Sequence, residues 1–277
     1  MLIILILQAL LQGIVQGITE WLPISSTGHI LLLDAVWPMQ IQQPAFFDVF
    51  KVVIQLGSIL AVVVLYFHKL NPFSPHKSAE EKKSTWTLWG KVLVASIPAA
   101  IAGLLLDEFI DKKLSVPAVI AVALIVYGVA FIITAKHKPQ TKVNALSELN
   151  YKHALAIGAF QMLALIPGTS RSGSTILGAT LVGTSRTVAA EFSFFMAVPV
   201  MLGASALKVL KFTMKGLSFG VTEWVVLAVA TVVSFLVSLL VIRSLIRFVQ
   251  KHDFKPFGWY RIVLGAVVLL CFALGWL

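Results

Sequence analysis

Pro23-Ile24-Ser25-Ser26-Thr27-Gly28-His29 interrupts an apolar run that starts at residue 2, and a second apolar run continues to residue 37. Proline lacks the backbone N–H and clashes with the carbonyl one turn back, so a helix over 2–22 stops there. Glycine reaches backbone angles that other residues avoid. Serine and threonine cap the helix that follows. The stretch reads as helix, polar break, helix. Pro167-Gly168-Thr169-Ser170-Arg171-Ser172-Gly173-Ser174 does the same to the run 153–166, about 145 residues later.

The surroundings decide the solvent. The chain has 277 residues, 58% of them hydrophobic and 12% charged. A soluble domain carries roughly 25% charged residues, so a soluble globular enzyme is excluded. Disorder is excluded too, because disordered chains are poor in apolar residues. The single cysteine, Cys271, rules out an internal disulfide framework and a Cys-based zinc site. The first twenty residues hold no Lys or Arg, so no signal peptide is expected and the segment stays in the mature chain.

Six uninterrupted apolar segments, 46–67, 87–106, 116–135, 188–210, 222–246 and 258–277, are long enough to cross a bilayer. Membrane strands would alternate in polarity, which these segments do not. With the four pieces flanking the breaks (2–22, 24–37, 153–166 and 174–183), ten helical segments are expected in one all-α polytopic membrane domain, 1–277.

The two breaks mark an internal repeat. One inserted residue aligns Ser25 to His29 with Ser170 to Ser174, and Leu56-Gly57-Ser58 recurs as Leu202-Gly203-Ala204-Ser205. The expected repeats are 1–136 and 152–277, joined by a cytoplasmic linker, 137–151. If each broken segment is a re-entrant hairpin, each half has three spans and the halves are inverted, as in many transporters. One face then holds Lys69, Lys77, Lys82, Lys83, Lys136, Lys138, Lys142, Lys152, Arg186, Arg243, Arg247, Lys251 and Lys255. The other holds the turn Asp107-Glu108-Phe109-Ile110-Asp111-Lys112-Lys113 with Lys208, Lys211 and Lys215. The basic face is cytoplasmic by the positive-inside rule, which puts both termini and the mouth of the first hairpin outside. If the broken segments span fully, both termini move to the cytoplasm. The same clusters account for the net charge of +10 without nucleic acid. Irregular backbone survives at membrane depth only inside protein or beside water, so the two hairpin tips should meet near mid-membrane.

Chemistry is expected at those tips. Gln16 and Glu20 share one helix face, four residues apart. A carboxylate at depth is expensive and marks function; the alternative is a packing role against Ser or Thr. His29 near Ser26 can move a proton at neutral pH; its alternative is a satisfied structural histidine. Ser26 and Thr27 also read as plain helix caps. Arg171 has a rigid fork that matches phosphate oxygens; its alternative is a structural pair with Glu20. Ser25, Thr27, Gly28, Ser170, Ser172, Gly173 and Thr175 offer hydroxyls and bare amides at two helix starts, which suits an anion. Glu20 with Gln16 adds a divalent cation, because Mg²⁺ is commonly held by one or two carboxylates plus substrate phosphates. Asp48 and Glu191 open spans and read as dipole partners. Gln55 faces a cavity or a neighbouring helix.

Gln16 to His29 together with Pro167 to Thr175 resembles the bacterial undecaprenyl-diphosphatase family, also called UppP or BacA and linked to bacitracin resistance. The resemblance covers essentially the whole chain. It implies hydrolysis of undecaprenyl diphosphate, a plasma-membrane location, an outward-facing site and a divalent cation, Mg²⁺ or Ca²⁺. The family's (Glu/Gln)xxxGlu motif falls on Gln16 and Glu20, which become the metal ligands. Its catalytic residues fall on Glu20, Ser26, His29 and Arg171. Many members carry Glu at the first motif position, where this chain has Gln16 with only a carbonyl oxygen to offer. The expected partners are the lipid diphosphate and membrane lipids, with a homodimer left open. The rival class is a transporter or lipid flippase for a phosphorylated substrate.

Overall fold

The computed structural model describes residues 2–39, 44–137 and 139–277. Lys138 and the side chains of Asp107 and Asp111, used in the charge argument, lie outside the described residues. The helices are α1 (Leu2–Thr19), α2 (Ser26–Val36), α3 (Pro44–Val53), α4 (Gln55–Leu65), α5 (Phe67–Leu70), α6 (Ala79–Phe109), α7 (Pro117–His137), α8 (Tyr151–Leu163), α9 (Arg171–Leu181), α10 (Arg186–Met214), α11 (Val221–Lys251) and α12 (Lys255–Ala273). Among the described residues there is no strand, only an isolated bridge between Val143 and Thr184.

Seven of these segments are long and apolar enough to cross a membrane, where the sequence reading counted six. The seventh is α1, which runs unbroken for 18 residues before the interruption. Its counterpart α8 has only 13. Helices α3 and α4 act as one apolar segment, Ala45–Leu65, with a local break at Ile54.

Outward faces are apolar. Val122, Val126, Val129 and Ile133 stand exposed at helical spacing on α7, as do Val232, Leu236 and Leu240 on α11. In water such stripes would be unfavourable; against lipid tails they are the expected coat.

Each break is a tight helical hairpin. Gln8 Nε2 donates to the Trp37 and Pro38 carbonyls at 3.3 and 2.9 Å, so α2 returns along α1. On the other side, α9 packs back on α8, with Gly178 against Phe160. Helix α1 also lies along α11, and α8 along α6. The linker is packed rather than loose: Val143 and Leu149 are buried, and Asn150 caps α8 through a reciprocal pair with His153.

Small residues permit these approaches. A Cβ on Gly13 would stand 2.6 Å from the Ala230 carbonyl oxygen of α11, and one on Gly158 would run into the Ala95 oxygen of α6. Backbone cannot yield as a side chain can, so helix pairs this close need glycine. Gly158→Val is expected to destabilise the fold by at least about 2 kcal/mol, read as a lower melting midpoint in detergent. Gly203→Val is the control, because nothing lies within 4 Å of its Cβ position. Equal melting of the two variants would refute the close-approach account.

Candidate active site

The two breaks share one local conformation. Ser25 and Ser170 are the non-glycine residues with positive φ among the described residues, at 75° and 69°. Each is the N-cap of the returning half-helix. Ser25 Oγ accepts from Gly28 N at 3.4 Å, and Ser170 Oγ from Gly173 N at 3.1 Å. The capping role therefore falls on these two serines and not on Ser26 or Thr27. The serines lie 145 positions apart, as do Gly13 and Gly158, Gln16 and Gln161, and Gly28 and Gly173. The prolines, Pro23 and Pro167, are 144 apart, one residue out of step with these pairs.

The tips meet through Glu20. Its Oε1 accepts from Arg171 Nη2 at 3.1 Å. Its Oε2 accepts from Gln16 Nε2 at 2.9 Å and from Ser26 Oγ at 3.2 Å. Ser172 Oγ donates to the backbone oxygens of Glu20 and Leu22, at 3.0 and 3.2 Å. The ion pair is buried, with side-chain exposures of 10% for Arg171 and 4% for Glu20. Burial of an ion pair offsets much of its Coulombic gain, so such a pair is weak evidence for stability alone.

Arg171 is held from behind. Its Nη1 donates to the Ser193 carbonyl at 2.8 Å and reaches Ser193 Oγ at 3.4 Å. Thr175 Oγ1 and Ser193 Oγ are 2.6 Å apart, which ties α9 to α10. The guanidinium lies over the fully buried Trp21 ring, 5.6 Å from its centroid. Its Nε is buried and has no partner. A buried charged donor left unpaired costs several kcal/mol at most sites, and an anion oxygen would satisfy it.

Gln16 Oε1 is likewise buried without a partner, beside the Glu20 carboxylate. An amide oxygen and a carboxylate together are hard oxygen donors of the kind Mg²⁺ or Ca²⁺ takes. No group of three or more His, Cys, Asp or Glu side chains gathers among the described residues. A cation held here would draw on Glu20, Gln16 Oε1 and the neighbouring Ser26 hydroxyl, with substrate or water to complete its shell.

His29 lies one turn along α2. Its Nδ1 is 2.7 Å from the Ser25 carbonyl oxygen, so Nδ1 carries the proton. Its Nε2 then accepts from the Tyr260 hydroxyl at 2.7 Å. His29 makes no hydrogen bond to Ser26, whose partner is Glu20. Thr27 and Gly28 lie in the first turn of α2. Asp48 pairs with Lys51 at 2.9 Å, outside this site. Glu191 lies past the first turn of α10 and pairs with Lys69 at 2.8 Å, which replaces the expected dipole role.

Three residues of the site escaped the sequence reading: Ser193, Tyr260 and Arg261. Ser193 carries no signal among the small residues of its span. Arg261 did carry one, as a lone charge inside the apolar segment 258–277. It is fully buried. Nη1 and Nη2 donate to the Pro23 and Gly168 carbonyls at 3.1 and 2.9 Å, and Nε reaches the Leu124 carbonyl at 3.4 Å.

A family model described as Bacitracin resistance protein BacA matches residues 9–267, which include every residue of both tips. The chain belongs to the BacA family. Curated relatives cover nearly its full length. A protein of Enterococcus faecalis named undecaprenyl-diphosphatase is 54% identical over 264 residues, 95% of each chain. One of the same name from Lactiplantibacillus plantarum is 56% identical over 271 residues, 97% of this chain and 98% of the relative. Undecaprenyl-diphosphatase 1 of Clostridioides difficile is 54% identical over 269 residues, 97% of each. As a BacA-family chain, the protein is a polytopic all-α membrane protein whose two motifs sit where its hairpins touch.

Proposed function

We propose that this chain is an integral membrane phosphatase that hydrolyses undecaprenyl diphosphate to undecaprenyl phosphate and inorganic phosphate. The product lipid re-enters cell-wall synthesis as a carrier, and its supply underlies bacitracin resistance. The printed names of the relatives support the substrate. The contact that carries the reading is Arg171 Nη2 to Glu20 Oε1, which puts a phosphate-matching fork, a carboxylate and a hydroxyl in one buried place.

Arg171 binds the diphosphate oxygens through its unpaired Nε edge. The amides at the starts of α2 and α9 add dipoles of the right sign. Ser26 Oγ points its proton at Glu20 Oε2, so the carboxylate is the base hydrogen-bonded to the candidate nucleophile. Attack on the terminal phosphorus by a water held there breaks the bond to the bridging oxygen and gives inorganic phosphate and the lipid monophosphate in one step. Attack by Ser26 Oγ breaks the same bond and leaves a phosphoserine, which a water then cleaves at the Oγ–P bond to release phosphate and restore the hydroxyl. His29, with its Nε2 at Tyr260, is placed at the edge of this group to pass a proton to or from solvent. Glu20 and Gln16 Oε1 would hold Mg²⁺ or Ca²⁺, which when bound neutralises charge on the phosphates.

The arrangement is supported as an inverted repeat by the 145-residue spacing and by the paired packing of α1 on α11 and α8 on α6. The charge asymmetry supports a bacterial plasma-membrane protein with both termini and the site mouth outside.

The test is phosphate release. Purified protein in detergent should release inorganic phosphate from undecaprenyl diphosphate, and chelation of divalent cations should abolish the release. A carrier would move the lipid across sealed vesicles and release none, which would overturn the hydrolase reading. Release that survives complete chelation would remove the ion.

A further inference from the structure

We propose that Arg261 is the positioning residue that sets the register of the two tips. The Pro23 and Gly168 carbonyls that it binds each lie two residues before a capping serine, Ser25 and Ser170. One guanidinium therefore grips equivalent points of both breaks. Its third donor reaches α7 at Leu124, and its face lies 5.4 Å from the Tyr127 ring centroid. A single side chain on α12 thereby ties together both breaks and α7.

The site depends on that tie. Glu20 and Ser26 flank the first gripped carbonyl, and Arg171 follows the second by three residues. The contact between Glu20 and Arg171 is long by the standard of charge-assisted bonds, at 3.1 Å, and has no covalent support across the two hairpins. Arg261 supplies the rigid spacer. Gly173 makes room for it: a Cβ there would stand 3.1 Å from Arg261 Nη1.

Among the described residues no carboxylate pairs with Arg261. A purely structural cross-link would not need a charge, and an unpaired one at depth is expensive. The planar fork explains the choice, because only guanidinium offers two parallel donors at fixed separation together with a third. The bare positive charge also favours an anionic ligand between the tips.

The proposal rests on the hydrolase reading for its kinetic arm only. Arg261→Lys keeps the charge and loses the fork. It is expected to lower kcat on the order of 10²-fold, the scale of a misplacement near 1 Å, with KM within about three-fold because diphosphate contacts remain. Spin labels at Val36→Cys and Leu181→Cys, in a Cys271→Ser background, report the outer ends of α2 and α9, both exposed. Their distance distribution should broaden or shift in Arg261→Lys and in Arg261→Met. Near-normal kcat in the lysine variant overturns the proposal. So does a loss of activity that follows loss of folded protein, with turnover per folded molecule and label distance unchanged. If the parent protein releases no phosphate, the hydrolase reading falls, and the label distance alone then decides for or against the clamp.

Discussion

Arg171→Lys is expected to reduce phosphate release on the order of 10²–10³-fold, the scale of removing one preorganised donor from a developing charge. The native guanidinium spans two anchors at once, with Nη1 on the Ser193 carbonyl and Nη2 on Glu20. Nε is still free for a phosphate oxygen. An ammonium is one point, and it cannot hold both anchors and the substrate. The positive charge beside Glu20 survives, so the fold should survive. The measurement is steady-state phosphate release per folded molecule, with melting in detergent as the control. Turnover within a few-fold of the parent would remove Arg171 from the site.

Glu20→Gln carries the second large effect. The carboxylate accepts from Arg171, Gln16 and Ser26. An amide in its place presents one oxygen and one NH₂, so either Arg171 or the Gln16 and Ser26 pair meets another donor. Turnover should fall on the order of 10³-fold, from loss of the base beside Ser26 and the charge opposite Arg171. The residual activity should no longer respond to divalent cations. Stability should fall as well, because a buried pair that loses one partner is destabilised by about 3–5 kcal/mol. Turnover per folded molecule separates the two effects. A variant of normal turnover and normal metal response would leave Glu20 a structural role alone.

The sequence carried the site's parts better than their wiring. Pro23, Pro167 and the small polar runs after them announced both breaks, because a proline and a capping serine leave few alternatives to a stopped and restarted helix. Charges at depth are so costly that Glu20 and Arg171 stood out without any structure. The wiring could not be read in the same way. Which of Ser25, Ser26 and Thr27 caps the helix depends on a left-handed backbone at Ser25 that no residue type announces. Ser26 bonds to Glu20 and not to His29 because the chain from Glu20 to Ser26 turns back on itself. Ser193 is polar in a span full of small residues. Arg261 was legible by the same rule as Arg171, yet it lies outside any motif. Its meaning comes from two carbonyls that are 145 residues apart in sequence. The count of spans differed for a related reason. Whether α1 is half of a hairpin or a crossing helix is a matter of how far it runs, and the break that follows it says only where it stops.

The pair of buried guanidiniums has a consequence for inhibitors. Arg171 pairs with Glu20, whose carboxylate is already shared among three donors, and Arg261 has no carboxylate partner among the described residues. A neutral head group would leave the excess positive charge unbalanced and would offer Arg171 Nε, which has no partner, a weaker acceptor than an anion does. A compound built to compete here therefore needs at least two formal negative charges on a compact head, joined to an apolar tail for the lipid side. Analogues that mask those charges as esters for uptake should bind weakly until unmasked.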